Sequence, residues 1–190
     1  MRSYLVVVVA ATLGFGCASS NQGDPPPEAA APQSIYVRTP DGQSLAIAGI
    51  STEAKSATAI AVDVPIETSW KVLPDVYHNL GIAVVAADPA SHTLGNHEVK
   101  LSRRLGSDRL SSFFDCGKGL DGYPHADEYA VTVDLLTQVT PGDDNGSMIR
   151  TQVLATATPV SGLASDPVQC TSTGKLEHRI ADLVKADAGS

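Results

Sequence analysis

Between residues 128 and 158 the sequence alternates apolar and polar positions twice, with a turn between. The first run places Tyr129, Val131, Val133, Leu135 and Val139 at odd positions, and the second places Ile149, Val153 and Ala155 at odd positions. A period of two puts these side chains on one face of an extended chain and scatters them around a helix. The connector Pro141-Gly142-Asp143-Asp144-Asn145-Gly146 is rich in residues that favour turns. The stretch therefore predicts an antiparallel hairpin, and an apolar face of that length needs a cover.

Helical covers can be read at two places. Residues 59–88 read as strand, helix, strand. Pro65 opens the helix, where its missing N–H is harmless, Glu67 sits in the first turn and Gly81 is the stop. Trp70, Leu73, Val76, Tyr77 and Leu80 recur at helical spacing, with Trp70 expected in the core. Pro74 lies inside this pattern and predicts a kink or a split. Leu176, Ile180, Leu183 and Val184 make the stripe of a C-terminal helix, with Thr171 or Thr173 as its N-cap.

The remaining segments read as strands and connections. Residues 34–50 predict a hairpin about Pro40-Asp41-Gly42, and 57–64 a further strand. Residues 82–87 and 93–105 read as strands joined by a turn at 88–91. In the second, Val99, Leu101 and Leu105 alternate with Lys100, Ser102 and Arg104. Residues 106–125 read as a long Gly- and Asp-rich loop, and 160–169 as another loop. The fold class is α+β, an antiparallel sheet with a mid-chain helix and a C-terminal helix packed on one face. The order over 57–188 resembles the helix-grip modules of BamC-like and START-like domains.

The N-terminus has a different character. Met1-Arg2-Ser3 is a positive start, residues 4–13 are apolar, and small residues follow at Gly14, Gly16 and Ala18. This reads as a signal peptide, because the apolar run is too short to span a bilayer as a helix. Leu13-Gly14-Phe15-Gly16-Cys17 resembles the lipobox of bacterial lipoproteins, which implies lipidation at Cys17; cleavage after Ala18 is the alternative. Residues 18–34, with Pro25-Pro26-Pro27, have too little apolar surface to form a core and read as a Pro/Ala-rich spacer. The expected organisation is signal peptide 1–17, spacer 18–34 and a single domain 35–188.

Among candidate sites, Cys116 and Cys170 are the two cysteines left after Cys17. In an exported chain they predict a disulfide, with a reactive thiol at Cys170 as the alternative. Lys100, Arg103, Arg104 and Arg109 form a basic cluster in a chain of formal charge -8, a candidate patch for an anionic partner or else a solvated strand face. Asp115, Asp121, Asp127 and Glu128 lie close enough in sequence to pair with it. The histidines His78, His92, His97, His125 and His178 match no zinc spacing, and Asp143-Asp144-Asn145-Gly146 lacks the spaced ligands of a calcium loop. Neither a phosphate loop nor Gly-x-Ser-x-Gly is present, and Ser111 and Ser172 have no local His/Asp frame.

These readings assign no catalytic residue, metal or cofactor. They point to a non-catalytic, lipid-anchored protein of the cell envelope, on the periplasmic side of the outer membrane, whose domain binds an envelope protein or polymer. Free secretion or a periplasmic location is the alternative. An acidic chain repels phosphate backbones, which argues against nucleic acid as partner. A START-like carrier of a small apolar ligand is the second expectation, and a hydrolase or metal enzyme using His92, His97 or His125 the third.

Overall fold

The computed structural model describes residues 35–38, 44–47, 58–160 and 166–189. The expected signal peptide, Cys17, the expected spacer and the expected turn at 40–42 lie outside the described residues.

The expected hairpin is the longest pairing in the sheet. Strands β9 (Ala130–Pro141) and β10 (Ser147–Thr158) pair along their whole length, from Ser147 opposite Pro141 to Thr158 opposite Ala130. Val131, Val133, Leu135 and Val139 face Ala157, Ala155, Val153 and Ile149 across the ladder, and all eight side chains are buried. Such cross-strand apolar pairs are the unit of sheet stabilisation.

The other strands flank this pair. β1 (Ile35–Arg38) and β2 (Ser44–Ile47) form the expected N-terminal hairpin as a separate two-stranded sheet. β3 (Thr58–Val62) pairs with the first half of β10, and β11 (Val168–Ser172) with its second half. β4 (Ala86–Asp88) pairs with β5 (Thr93–Ser102), which pairs with β9. Beyond β5 come β6 (Arg104–Leu105) and β7 (Asp108–Arg109), while β8 (Phe114–Asp115) borders β11. Every pairing is antiparallel. β7 and β8 stand at opposite ends of the strand order, yet only Leu110–Phe113 separates them. So short a connection brings the two edges near each other, so the sheet curls.

Helices α1 (Ile66–Asn79) and α3 (Lys175–Ala188) pack on each other and on the sheet. Leu73, Val76 and Tyr77 of α1 and Leu176, Ile180, Ala181 and Val184 of α3 join the hairpin's apolar face in one core. Two polar pins cross this layer. Ser69 Oγ lies 2.8 Å from Ser147 Oγ, and Tyr77 Oη lies 2.8 Å from Thr137 Oγ1, which lies 3.0 Å from Thr151 Oγ1. Burial pushes the Tyr77 phenol far above its ordinary range, with the Thr137 hydrogen bond opposing the shift. Among the described residues no helix is long and apolar enough to cross a membrane.

Several local expectations are corrected. Helix α1 runs unbroken through Pro74, which is exposed while Leu73, Val76 and Tyr77 beside it are buried. The lost hydrogen bond lies on the wet face, and the buried face holds the helix together. The helix ends at Gly81 (φ 75): the Gly81 N–H donates to the His78 carbonyl and the Ile82 N–H to the Tyr77 carbonyl, a Schellman ending. Residues 82–85 are not a strand. They are held by Asn96 Nδ2, 2.7 Å from the Ala83 carbonyl, and by the Val85 N–H to the Gly95 carbonyl, which leaves Val84 and Val85 exposed. Trp70 is half-buried at the margin, its ring edge-on to His92.

The stretch 93–105 is interrupted twice, by a bulge between Asn96 and Val99 and by Arg103. In the bulge Glu98 (φ 57) donates its N–H to Asp134 Oδ1 at 2.8 Å. Residues 125–128 form a helical turn, α2 (His125–Glu128), so the hairpin strand starts at Ala130. The loop expected over 160–169 gives way to β11 at Val168, with 161–165 outside the described residues. The N-cap of α3 is Gly174, not Thr171 or Thr173. Ser172 Oγ accepts from the Gly174 N–H and donates to buried Glu177.

Candidate functional site

The stretch 106–125 is short structure joined by turns. Gly106 (φ 61) and Ser107 make a two-residue turn that folds β7 back on β6, a conformation a glycine adopts without strain. This turn sets Arg109 directly opposite Arg104. Directly opposed residues in an antiparallel pair share a face, so two cationic side chains start from one face, with the Arg104 guanidinium donating to the Ser107 carbonyl in the turn. Arg103, just before β6, has φ 62, a conformation costly for any residue with a Cβ. Its side chain has no hydrogen bond or ion pair among the described residues.

The facing wall comes from residues 117–128. Lys118 bridges to Pro124, and the Gly119 N–H donates to the Tyr123 carbonyl, so the loop is a small closed lobe. The His125 N–H donates to the Gly117 carbonyl, and its ring stacks on Tyr129 at 4.4 Å between centroids. Leu120 and Tyr123 project from the lobe into solvent. Asp127 is fixed: it accepts from the Ser111 N–H at 2.9 Å and from Ser111 Oγ at 2.8 Å, and lies 4.0 Å from Arg109.

Between these walls is an open cleft of about 460 Å³ lined by Arg103, Arg104, Arg109, Tyr123, Asp127 and Glu128. Its volume falls in the range of small-ligand sites, roughly 300–1,000 Å³. The disulfide between Cys116 and Cys170, with Cα atoms 4.1 Å apart, anchors the start of the lobe to β11. On α3, Arg179 (2.7 Å) and Lys175 (3.6 Å) hold Asp108 of β7 from outside the cleft.

Three of the four basic residues expected as a patch, Arg103, Arg104 and Arg109, therefore meet in one cleft. Lys100 does not line it. Pairing places Lys100 on the same sheet face as Ser102 and Arg104, farther along β5. The expected pairing with nearby acids is met at Asp127. Tyr123 was not anticipated, since a single aromatic in a Gly-rich loop carries no periodic signal.

The candidate histidines have separate surroundings. His92 sits against Trp70, 3.6 Å from Glu67; His97 lies in the β5 bulge; His125 lies under the lobe, its Nδ1 buried without a hydrogen-bond partner. Among the described residues no group of three or more His, Cys, Asp or Glu side chains is placed to hold a metal ion. Ser111 is engaged with Asp127, and Ser172 with Glu177. The chain matches no protein-family model and no curated protein sequence.

Proposed function

We propose that this chain is a non-catalytic, lipid-anchored protein of the cell envelope, held to the membrane through Cys17, whose folded domain binds an anionic partner in the arginine cleft. The observation that carries this reading is the convergence of Arg103, Arg104 and Arg109 on one open cleft in a chain of net charge -8. Like charges directly opposed across a ladder are destabilising, by ~0.2–1 kcal/mol. An anion between them reverses the sign of that interaction. The leader, the spacer and the Cys116–Cys170 disulfide fit an exported, oxidising setting. The carrier reading draws no support from the α3 interface, where Leu176, Ile180, Ala181 and Val184 belong to the common core.

Two measurements test the proposal. Intact mass spectrometry of the membrane fraction is expected to find a triacylated N-terminal Cys17; an unlipidated chain starting near Ser19 contradicts the anchor. The folded domain is expected to be retained on a carboxylated matrix despite its net negative charge. Retention should fall with salt and vanish in the Arg104→Ala/Arg109→Ala variant. Equal retention of wild type and variant contradicts the cleft as the binding face.

A further inference from the structure

The lining of the cleft selects among anions. Each wall offers a different chemistry, and the combination is narrower than positive charge alone. The Arg104–Arg109 pair brings two guanidinium cations from adjacent strands to the cleft. Arg104 donates to the Ser107 carbonyl and Arg109 lies 4.0 Å from Asp127, and each guanidinium has further N–H donors that a carboxylate can accept from. Across the cleft stand two carboxylates of the protein. Asp127 is held in place by Ser111, while Glu128 is exposed and has no hydrogen bond or ion pair among the described residues. They repel a second ligand anion and accept hydrogen bonds from ligand hydroxyls. Tyr123, 62% exposed, supplies a flat aromatic surface at the rim.

Polyanions of dense charge fit this lining poorly. A nucleic acid or polyphosphate carries a negative charge at every repeat of its backbone, a few ångströms apart, and would place phosphates against Asp127 and Glu128. A chain of acidic side chains has no hydroxyls for these carboxylates and no ring for Tyr123. A saccharide with one carboxylate per sugar, spaced by neutral hydroxyl-bearing carbons, meets every wall. Resting on the proposal of an anion-binding cleft, we infer that its ligand is a carboxylated polysaccharide. One uronate-type carboxylate lies between Arg104 and Arg109, sugar hydroxyls donate to Asp127 and Glu128, and the apolar face of a ring packs on Tyr123.

The test is calorimetric titration of the folded, disulfide-intact domain with a panel of defined probes: oligomers of galacturonate, glucuronate-containing disaccharide repeats and mannuronate, the carboxyl-reduced neutral counterpart of each, polyglutamate, and a single-stranded DNA oligomer. At least one carboxylated oligosaccharide is expected to bind at least tenfold more tightly than its neutral counterpart and than polyglutamate or DNA. Arg104→Ala/Arg109→Ala should weaken it at least tenfold. Tyr123→Ala should weaken it about fivefold, Tyr123→Phe should restore it, and neither should change binding of polyglutamate. All these side chains are exposed, so the variants test binding rather than folding. Polyglutamate binding as tightly, with no effect of Tyr123, overturns the saccharide and leaves the anion cleft standing. Tighter binding of DNA also overturns it. Failure of every acidic probe overturns both.

Discussion

In the β9–β10 hairpin each strand is paired along its full length, and its inward face, apolar apart from hydrogen-bonded Thr137, Ser147 and Thr151, is covered by two helices. The segment from Arg103 to Glu128 has three strands of two residues, a 3-10 turn and one helical turn. It is held by one disulfide, a bidentate Ser111–Asp127 contact, the Asp108 pairs to α3, the pairing of β8 with β11 and a few buried side chains. Arg103 is left-handed in this segment, whereas the hairpin's left-handed turn residues are Asp144 and Asn145, types that tolerate it, and like charges face each other at Arg104 and Arg109. The cleft segment also buries Leu110, Phe113, Phe114 and Ala126 in the common core, but its cleft-lining side chains Arg103, Arg104, Arg109 and Tyr123 are exposed, and Arg103 carries backbone strain of the kind binding sites commonly carry. The difference assigns stability to one region and recognition to the other.

Breaking the disulfide is expected to show the division most strongly. Cys116→Ser/Cys170→Ser removes a closure spanning 54 residues and should cost about 4 kcal/mol on the chain-entropy account, read by denaturant unfolding. Hydrogen exchange should accelerate across residues 104–128 while amides of β9 and β10 keep most of their protection. Uniform acceleration would deny that the regions are separable. The reciprocal variant is Leu135→Ala, which empties a fully buried position in the hairpin. It should cost about 3 kcal/mol and leave affinity for the cleft ligand unchanged in the folded fraction.

Asp127→Ala strips Ser111 of its acceptor and Arg109 of its nearby carboxylate. A loss of about 2 kcal/mol is expected by denaturant unfolding, with exchange raised in the lobe first. Tyr77 gives a pH signature confined to the scaffold. Its folded-state pKa is raised by burial, so its contribution is fully present below the ordinary tyrosine value of about 10. It is lost as pH rises from there toward the folded-state value, at up to about 1.4 kcal/mol per pH unit. Tyr77→Phe should flatten this alkaline slope in unfolding curves collected above pH ~10, at the cost of the bond to Thr137.

The same contrast explains what could be read from the sequence. The alternation from Val131 to Val139 and the spacing from Trp70 to Leu80 report burial directly, so β9, β10 and α1 were legible. Strand β11 was not, because in this short strand no side chain is fully buried. Residues 82–85 misled for the opposite reason: Ile-Ala-Val-Val has strand composition, but the Schellman ending and Asn96 leave it without a partner strand. At the cleft, the arginines could be picked out by charge. Their convergence depends on the turn at Gly106 and Ser107 and on Arg103 adopting a left-handed conformation, neither of which spacing specifies. Tyr123 is brought to the cleft by a lobe anchored at a disulfide, a tertiary event with no local pattern.

Arg103→Gly separates backbone strain from binding at the cleft. Glycine takes a φ of 62 without the Cβ penalty, and the exposed Arg103 side chain has no partner to lose among the described residues. Denaturant unfolding of wild type and variant, with and without a carboxylated oligosaccharide, gives both quantities. If the cleft accepts strain in exchange for binding, the free variant is more stable by about 0.5–1 kcal/mol and the ligand stabilises it less than it stabilises the wild type. A variant that is less stable when free, or that gains as much from the ligand as the wild type, shows that strain and binding are not linked at Arg103.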